Sequence, residues 1–460
     1  MNCSKSFTRH ALLILIGVLI LSSAGWAAEP SDPPLIVSDS TKTLDDLLDL
    51  ALNHEYTYRK AVEGERIVTM LRASAIGQFL PGLSSSGRWS TTTLKDVIVY
   101  DNFGVPIGTN NADQSFSSFS VSASEVLFSG GQRLFGLAGA KLQLQNIFLN
   151  SERSRDVLIA QVKTVFYNFL LAKENLGVQN EILAQRNESL RLAQARFATG
   201  DVIELDVMQA EIDLGTQQNN VLQVEQSLKN AREALNLTVG IHLDSTFPVV
   251  GDLTPVLPKM DADRLVTMAL DQRPDYKIAK NQVKINKLNV LNYTSPYLPT
   301  VSAFYSIERS YRNATQAGDY KFYPNDVSNT IGFSMNWTIF DRFQREYNRQ
   351  NAVIAKRQST FDENSVRQNI MANVRSEWRN LEKLNQQIKV SGRNRDLARR
   401  QLQLEQERYR IGASSQLNLR SAEVTRITAE NDYLARVFEY FTTLATLERD
   451  LGASLEEVSR

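Results

Sequence analysis

Hydrophobic and polar positions along the chain follow two periods, and the shorter one is clearest in the segment 329–340. Every second residue there is apolar, and the residues between them are polar or small. The apolar positions are Ile331, Phe333, Met335, Trp337 and Ile339. A period of two is typical of a strand with one apolar face. The same alternation predicts three more strands, at 82–95, 116–128 and 300–311.

Most of the remaining chain follows the longer period, in which apolar residues recur at alternating steps of three and four. In the first half these positions include Leu158, Val162, Val165, Phe169, Ala172 and Leu176. This spacing is typical of helices that pack as coiled coils. It predicts long helices over about 132–199, 202–238, 342–411 and 414–450. At 1.5 Å per residue, the longest of them would measure about 100 Å.

The chain also repeats itself. The segment 194–214 matches 406–426 without gaps, and the pairing of Gly200 with Gly412 defines what we call the repeat offset. A Leu-Pro pair near residue 80 has its counterpart near residue 298, where proline is expected to end the first helix of each half. Such repetition predicts a duplicated unit. We therefore predict a first repeat over 29–250 and a second over 251–460.

Residues 1–28 have the pattern of a secretory signal peptide. Lys5 and Arg9 precede an apolar run that is too short to span a bilayer, and small residues follow it up to Ala28. The alternative is an uncleaved anchor. The one cysteine of the sequence, Cys3, lies before the apolar run. The mature chain is therefore expected to hold no disulfide and no cysteine metal site.

The four predicted strands are long enough to cross a bilayer, for which a tilted strand needs about 9–11 residues. The alternative is a sheet of a soluble protein with one buried face, because its strands alternate in the same way. Four strands cannot close a membrane barrel, and open sheet edges are not tolerated in lipid. If the strands cross a membrane, several chains must therefore share one barrel.

Composition and candidate chemistry exclude several classes of function. The 51 basic and 51 acidic residues balance, which gives no electrostatic case for binding nucleic acid. The three histidines, His10, His54 and His242, are scattered, and no phosphate loop, zinc motif or nucleophile elbow occurs. We therefore expect no enzyme activity, no catalytic residue, no cofactor and no bound metal.

The segments around the paired glycines, RFATGDVIELDVMQAEIDL and RYRIGASSQLNLRSAEVTR, resemble those of the TolC family of outer-membrane efflux proteins. The resemblance covers essentially the whole mature chain. It implies a mainly α fold with a membrane β-barrel, in which duplicated coiled-coil hairpins form a periplasmic tunnel. It also implies a homotrimer in the outer membrane of a Gram-negative bacterium, with four strands per chain in a shared 12-strand barrel surrounded by lipid.

The resemblance further implies the exit duct of a tripartite efflux system. Such a duct passes substrates from an inner-membrane RND or ABC transporter and a periplasmic adaptor protein to the exterior. Two alternatives remain, which are an outer-membrane channel for type I protein secretion and a non-conducting periplasmic coiled-coil scaffold.

The candidate site residues lie around the paired glycines. Gly200 and Gly412 each follow a long helix, where a residue with positive φ lets the chain reverse. The resemblance implies that an adaptor docks at these turns, for which the candidates are Gly200, Gly412, Leu205 and Leu417. It also implies a closed aperture held by polar contacts, for which the candidates are Asp206, Tyr409, Gln209, Asn418 and Ser421.

Two of these positions depart from the family pattern. Well-studied members carry inward aspartates where this sequence has Asn418 and Ser421, so an acidic ring at the entrance is not expected. For Asp206 the alternative to a contact across the aperture is a solvated position on a coiled coil. For Tyr409 the alternative is simple helix packing.

Overall fold

The computed structural model describes four stretches of the chain, which are residues 40–100, 103–257, 260–313 and 327–455. The predicted signal peptide, 1–28, lies outside the described residues, as does most of the loop before the predicted fourth strand.

Helices make up most of the described chain, and one four-stranded sheet completes it. The helices are α1 Leu44–His54, α2 Tyr56–Glu63, α3 Ile67–Gly77, α4 Gln132–Ala198, α5 Glu204–Val239, α6 Ala262–Gln272, α7 Pro274–Asn292, α8 Gln344–Arg410 and α9 Gln416–Leu451. The strands are β1 Gly82–Tyr100, β2 Pro106–Phe128, β3 Thr300–Asn313 and β4 Val327–Asn336. Across the described stretches, no helix combines the length and the apolar character that crossing a membrane requires.

The duplication extends to the lengths of the helices. Helices α4 and α8 each have 67 residues, and α5 and α9 each have 36. The starting residues of each pair are separated by the repeat offset seen in the sequence. Each long helix packs against the shorter helix that follows it, α4 against α5 and α8 against α9. Helix α7 packs against both long helices, and α9 also packs against α4, which joins the two repeats.

Each repeat has its own apolar core, and the two cores are built from corresponding residues. Pairs of buried residues that are related by the repeat offset are Val162 and Val374, Phe166 and Trp378, Phe169 and Leu381, and Leu235 and Leu447. Tyr167 packs against both cores and stacks on Phe441, with 4.2 Å between the ring centroids. This stacked pair makes the two cores continuous.

The sheet is antiparallel, with the strands in the order β1-β2-β3-β4. Strands β1 and β2 are longer than predicted, because they continue through most of the segment that we interpreted as a long loop. Their pairing passes two irregularities, one after Leu94 and one after Val99, and reaches Tyr100 opposite Pro106. Backbone hydrogen bonds maintain this extension, whereas the residues there lack the apolar alternation by which strands are recognised in a sequence.

Strand β4 ends at Asn336, so Trp337 and Ile339 lie beyond it, contrary to our expectation of a strand up to residue 340. The partner strand explains the difference, since β3 begins at Thr300 opposite Asn336. The carbonyl groups beyond this point have another partner. Arg345 donates hydrogen bonds of 2.9 Å to the carbonyl of Ile339 and to that of the preceding residue.

An arginine at the second position of each long helix ties the sheet to the helices. The Arg133 guanidinium lies 4.7 Å from the centre of the Phe79 ring, and that of Arg345 lies 4.9 Å from the centre of the Tyr297 ring. The two arginines are equivalent by the repeat offset. Since a guanidinium over an aromatic face is attracted by the ring, each contact holds the entry of a long helix against the segment before a strand.

The turn from strand to helix passes through left-handed backbone in both repeats. In the first repeat two glycines, Gly130 and Gly131, have φ of 64° and 86°. In the second repeat Arg342 and Phe343 hold φ of 61° and 66°. A bulky residue is strained in this conformation. The packing around the corner, rather than local preference, therefore sets the backbone of the second repeat.

A cluster of charged side chains is buried where α9 ends. Asp450, only 3% exposed, lies 3.3 Å from Arg273 and 2.9 Å from Arg449. Glu377 lies nearby on α8. Burial raises the pKa of the Glu377 carboxyl from 4.5 to about 8, and the negative charge of Asp450 adds to this effect.

This raised pKa predicts that Glu377 makes stability depend on pH. Between pH 4.5 and about 8 the folded carboxyl holds a proton that the unfolded one has lost, so the free energy of unfolding falls as the pH rises. The slope is at most about 1.4 kcal/mol per pH unit for one proton, and the total change over this range is reduced because solvent screens the partly exposed carboxyl. We expect Glu377→Gln to flatten the fall of the thermal midpoint over this range.

The control for this experiment is Glu382→Gln, an exposed position on the same helix. It should retain the slope of the unmodified protein. An unchanged slope in Glu377→Gln would show that this carboxyl is ionised in the folded protein.

Candidate functional site

The two helical hairpins reverse direction through the same kind of turn. Gly200 has a φ of 83° and Gly412 a φ of 76°. In the first turn Asp201 N–H donates to the carbonyl of Arg196 at 2.9 Å, and Gly200 N–H donates to that of Phe197 at 3.1 Å. The second turn has the same two bonds, at 2.8 and 3.1 Å. This is a Schellman motif, which satisfies the last helix carbonyls and requires positive φ at the glycine position.

The residues after each turn present apolar side chains to the surface of the chain. Leu205 is 66% exposed in the first turn of α5, and Leu417 is 74% exposed at the corresponding position of α9. Ile203 and Ile411 next to the turns are 63% and 72% exposed. The predicted docking residues therefore lie together with other apolar groups on this end of the hairpins, which we call the tip.

Tyr409 is buried between the two repeats, with only 1% of its surface exposed. The Arg196 guanidinium lies 4.9 Å from the centre of its ring. Four apolar residues complete its surroundings, namely Leu192, Leu402, Leu419 and Ala422. Burial raises the pKa of the Tyr409 hydroxyl above its ordinary value. This tyrosine thus joins the end of the first long helix to the second hairpin, and the contact brings the two turns to the same end of the molecule.

The other four predicted aperture residues differ in how exposed they are on the two hairpins. Asp206 is half-buried in the first turn of α5, where its charge acts on Tyr409. Gln209, one turn later, donates a 3.0 Å hydrogen bond to Asp213. Asn418 and Ser421 are exposed on α9. The structure thus brings Asp206 near Tyr409, whereas no described contact joins Asn418 or Ser421 to these two residues.

A buried ion cluster above the tip joins the first hairpin to α9, and our sequence analysis missed it. Arg186 on α4 pairs with Glu423 on α9 and lies 3.6 Å from Asp213. Arg420 reaches Asp213 from α9 at 3.3 Å, and the Ser189 hydroxyl donates to Glu423 at 3.3 Å. Burial raises the pKa of the Glu423 carboxyl, while the charge of Arg186 opposes that rise.

A second ion pair, of which only the arginine is buried and the glutamate is 65% exposed, lies one turn farther from the tip. Arg426 on α9, with 5% of its side chain exposed, lies 2.7 Å from the carboxylate of Glu181 and donates to Gln185 at 2.8 Å. One sequence signal was available for these pairs. Glu423, Arg426 and Glu430 recur on α9 at steps of three and four, the spacing of residues that face a neighbouring helix.

No metal-binding group is evident in the described stretches, since none of their histidine, cysteine, aspartate and glutamate side chains form a suitable cluster of three. What the described residues do form is a junction of two hairpins, held by buried ion pairs and ending in an apolar tip.

Comparison with known protein families identifies the family to which this chain belongs. The profile described as outer membrane efflux protein matches residues 73–240 and 265–453, one segment in each repeat. The chain belongs to the outer membrane efflux protein family. The predicted family and its outer-membrane location are therefore confirmed. This family consists of channel proteins rather than enzymes.

Among curated proteins, the cation efflux system protein CusC of Escherichia coli K12 is 25% identical to this chain over 293 residues. The alignment spans 62% of this chain and 62% of CusC, which is less than two thirds of that relative.

Solved structures show the same fold over nearly the whole chain. A crystal structure of CusC has a TM-score of 0.77 at 17% identity and covers 93% of this chain and 99% of that one. The CmeC outer membrane channel of Campylobacter jejuni has a TM-score of 0.74 at 16% identity, and the match covers 94% of this chain and 91% of CmeC. The open MtrE channel of Neisseria gonorrhoeae has a TM-score of 0.72 at 19% identity, and the match covers 93% of this chain and 96% of MtrE. The predicted mainly helical fold with four strands is confirmed.

The ion cluster yields a prediction about stability in this member of the efflux family. We expect Arg186→Met to lower the free energy of unfolding by about 3–5 kcal/mol, because it leaves the Glu423 carboxylate buried without its partner. The double substitution Arg186→Met with Glu423→Gln should cost clearly less than the sum of the two single ones. Urea unfolding of the purified protein, followed by the helical circular dichroism signal, measures this coupling.

Arg191→Met is the matched control on the same helix. Arg191 pairs with Glu188 at 2.8 Å, but both side chains are mostly exposed, so its loss should cost less than about 1 kcal/mol. Equal costs for Arg186→Met and Arg191→Met would contradict the importance we assign to the buried cluster.

Proposed function

We propose that this chain is the exit duct of a tripartite efflux system. In this proposal three copies form a 12-strand barrel in the outer membrane. Their helices continue into the periplasm as a tunnel, and substrates pass from an inner-membrane pump through an adaptor into it. The observation that carries the proposal is the pair of equal hairpins, whose glycine turns lie together about 100 Å from the sheet by the length of a 67-residue helix.

The position and chemistry of the tip support its role as the docking site of the adaptor. Leu205 and Leu417 project apolar side chains beside Gly200 and Gly412, at the end that is farthest from the sheet. Exposed apolar groups that are concentrated at one end of a molecule mark interaction sites. The partner that suits them is a protein with apolar residues at the turn of its own helical hairpin.

In the same proposal, contacts near the tip hold the aperture closed. Tyr409 with Asp206 forms the buried part of this latch, and Gln209, Asn418 and Ser421 lie on the surfaces beside it. Because Asn418 and Ser421 are uncharged, the selectivity of the entrance depends on gating rather than on an acidic ring.

Site-specific photo-crosslinking from Asn418 in cells tests the proposal. We expect a periplasmic adaptor among the captured proteins, and its class would identify an RND or an ABC pump. Capture of an adaptor that serves protein secretion would replace efflux by type I secretion. Capture of neighbouring copies alone, from well-expressed protein, would contradict docking at the tip and favour a scaffold.

We also predict that Gly412→Val cripples efflux while the trimer persists. A β-branched residue at a φ of 76° adds about 1–3 kcal/mol of backbone strain and distorts the turn. Apart from the adjacent residues, no heavy atom lies within 4 Å of a Cβ added there, so the effect comes from the backbone rather than from a clash. Minimum inhibitory concentrations of pump substrates and the trimer band on a gel measure the two expectations.

Gly412→Asn is the control, because asparagine tolerates left-handed backbone better than other residues with a side chain. It should retain most of the efflux. Normal efflux from Gly412→Val would show that the geometry of this turn does not matter for docking.

A further inference from the structure

One face of α7 carries a run of lysines that has no part in the proposed function. Lys277, Lys280, Lys284 and Lys287 follow one another at steps of three and four residues, so they lie on the same side of the helix. Lys280, Lys284 and Lys287 are exposed, and Lys277 is half-buried. Helix α7 holds no acidic residue after Asp275. We call the four lysines the lysine stripe.

The neighbouring part of α8 adds positive charge to the stripe instead of neutralising it. Asn286 on α7 donates a 3.4 Å hydrogen bond to the carbonyl of Ala355 on α8, and Lys356 and Arg357 follow directly. Helix α8 has no acidic residue between positions 347 and 361. Among the described residues, neither these two cations nor the three exposed lysines form an ion pair. The surface therefore has a concentrated positive charge.

The stability of α7 does not explain the stripe. Like charges at these spacings repel one another and weaken a helix. In the first repeat, the segment that ends at the first Leu-Pro pair has Val62 and Thr69 at the positions of Lys280 and Lys287. The packing of this helix therefore does not require lysine at these positions.

The stripe lies on the outer side of the proposed duct. The Lys280 ammonium is 4.2 Å from the centre of the Tyr276 ring. Tyr276 belongs to the core of the second repeat, which also contains buried residues of α6 and is flanked by Leu253 and Leu257. The segments that carry these residues cross the helices on one side. If this were the inner side, three copies of them would obstruct the tunnel, so the stripe faces the periplasm.

The stripe runs along the duct and away from the membrane. Near its start, α7 donates a 3.4 Å hydrogen bond from Tyr276 to Glu363. Near its end it contacts Ala355, which lies earlier in α8, so the two helices are antiparallel. The two ends of the stripe are therefore about 15 Å apart along the duct. Lipid headgroups extend only about 5–8 Å beyond the hydrocarbon core, so they cannot contact its whole length.

We propose that the lysine stripe binds the carboxylates of cell-wall peptidoglycan and so holds the duct where it passes through the wall. Peptidoglycan is an extended acidic polymer, because its stem peptides carry free carboxylates, and a duct that leads from the outer membrane into the periplasm must cross it. An ammonium group is a compact charge that pairs with single carboxylates without a fixed planar geometry. Neighbouring charges about 5 Å apart match a polymer better than one small anion.

The number of copies strengthens this binding. Each exposed ion pair is weak, but three copies of the chain present three stripes to one polymer network, and linked contacts bind far more tightly than single ones. The inference rests on the proposed function, which places the stripe on the outside, and adds a binding partner to it.

Sedimentation of the purified full-length protein with isolated peptidoglycan sacculi tests the inference. We expect the triple variant Lys280→Gln, Lys284→Gln and Lys287→Gln to bind at least about tenfold more weakly, because each copy loses three ion pairs. High salt should weaken the binding of the unmodified protein, since exposed charges are screened. Amidation of the carboxylates on the sacculi should weaken it as well.

The matched control is the triple variant Lys229→Gln, Lys383→Gln and Lys389→Gln. It removes the same charge from exposed positions on α5 and α8 that belong to no stripe. This control should bind sacculi as the unmodified protein does. Equal losses in the two triple variants would overturn the inference, because net charge alone would then explain the binding.

Two other outcomes would reassign the stripe and overturn the inference. Unchanged binding to sacculi with loss of co-purified anionic lipid would assign the lysines to the membrane. Unchanged binding with a shift of the channel current toward cations in a planar bilayer would place the lysines inside the tunnel. Binding to sacculi that depends on the stripe, in a chain that supports no efflux in cells, would count against the proposed function alone.

Discussion

The arrangement of the tip depends on one constraint, which is that the two long helices have equal lengths. Helices α4 and α8 start at the same sheet and each run for 67 residues, so their ends coincide. One additional turn in either helix would displace its end by about 5.4 Å. Arg196 would then no longer lie over Tyr409, and the two glycine turns would lie at different heights. A duplication provides this equality directly, because both helices descend from one segment.

Within this shared frame the two repeats have diverged in the residues that decide their contacts. The repeat equivalent of the buried Tyr409 is the exposed Phe197, and that of the paired Arg426 is Leu214. Buried ion pairs add little net stability over apolar packing, but breaking one of them is costly. We therefore infer that their effect at this junction is to specify which helix faces meet and in which register. The apolar residues of a coiled coil alone would define this less sharply.

At the boundary between the sheet and the helices, the two repeats again use equivalent positions but differ in some of the residues there. Both repeats place an arginine over an aromatic ring at the entry of the long helix, and in the second repeat Arg345 also binds the carbonyl groups that follow β4. The first repeat turns through two glycines, whereas Phe343 adopts left-handed backbone despite its side chain. The second corner is therefore maintained by its tertiary contacts, which offset the local strain.

Sequence alone determined the features that are local or repeated. The periods of two and of three to four predicted the strands and the long helices. The constant repeat offset predicted the duplication, and Gly200 and Gly412 predicted the reversals that the Schellman turns make. Each of these features can be read from neighbouring residues, or from a comparison of the chain with itself, because backbone geometry sets the period and the turn.

Only the tertiary structure decided where strands end and which polar residues are buried. Strand β4 ends at Asn336 because its partner begins opposite that residue, although the alternation continues to Ile339. Glu423 is buried because Arg186, which is far from it in the chain, lies against it. Neither outcome follows from local preference, since a charged residue on a helix surface is normally solvated. Such a residue is buried when a partner of opposite charge, brought near by the packing of the helices, compensates for the lost water.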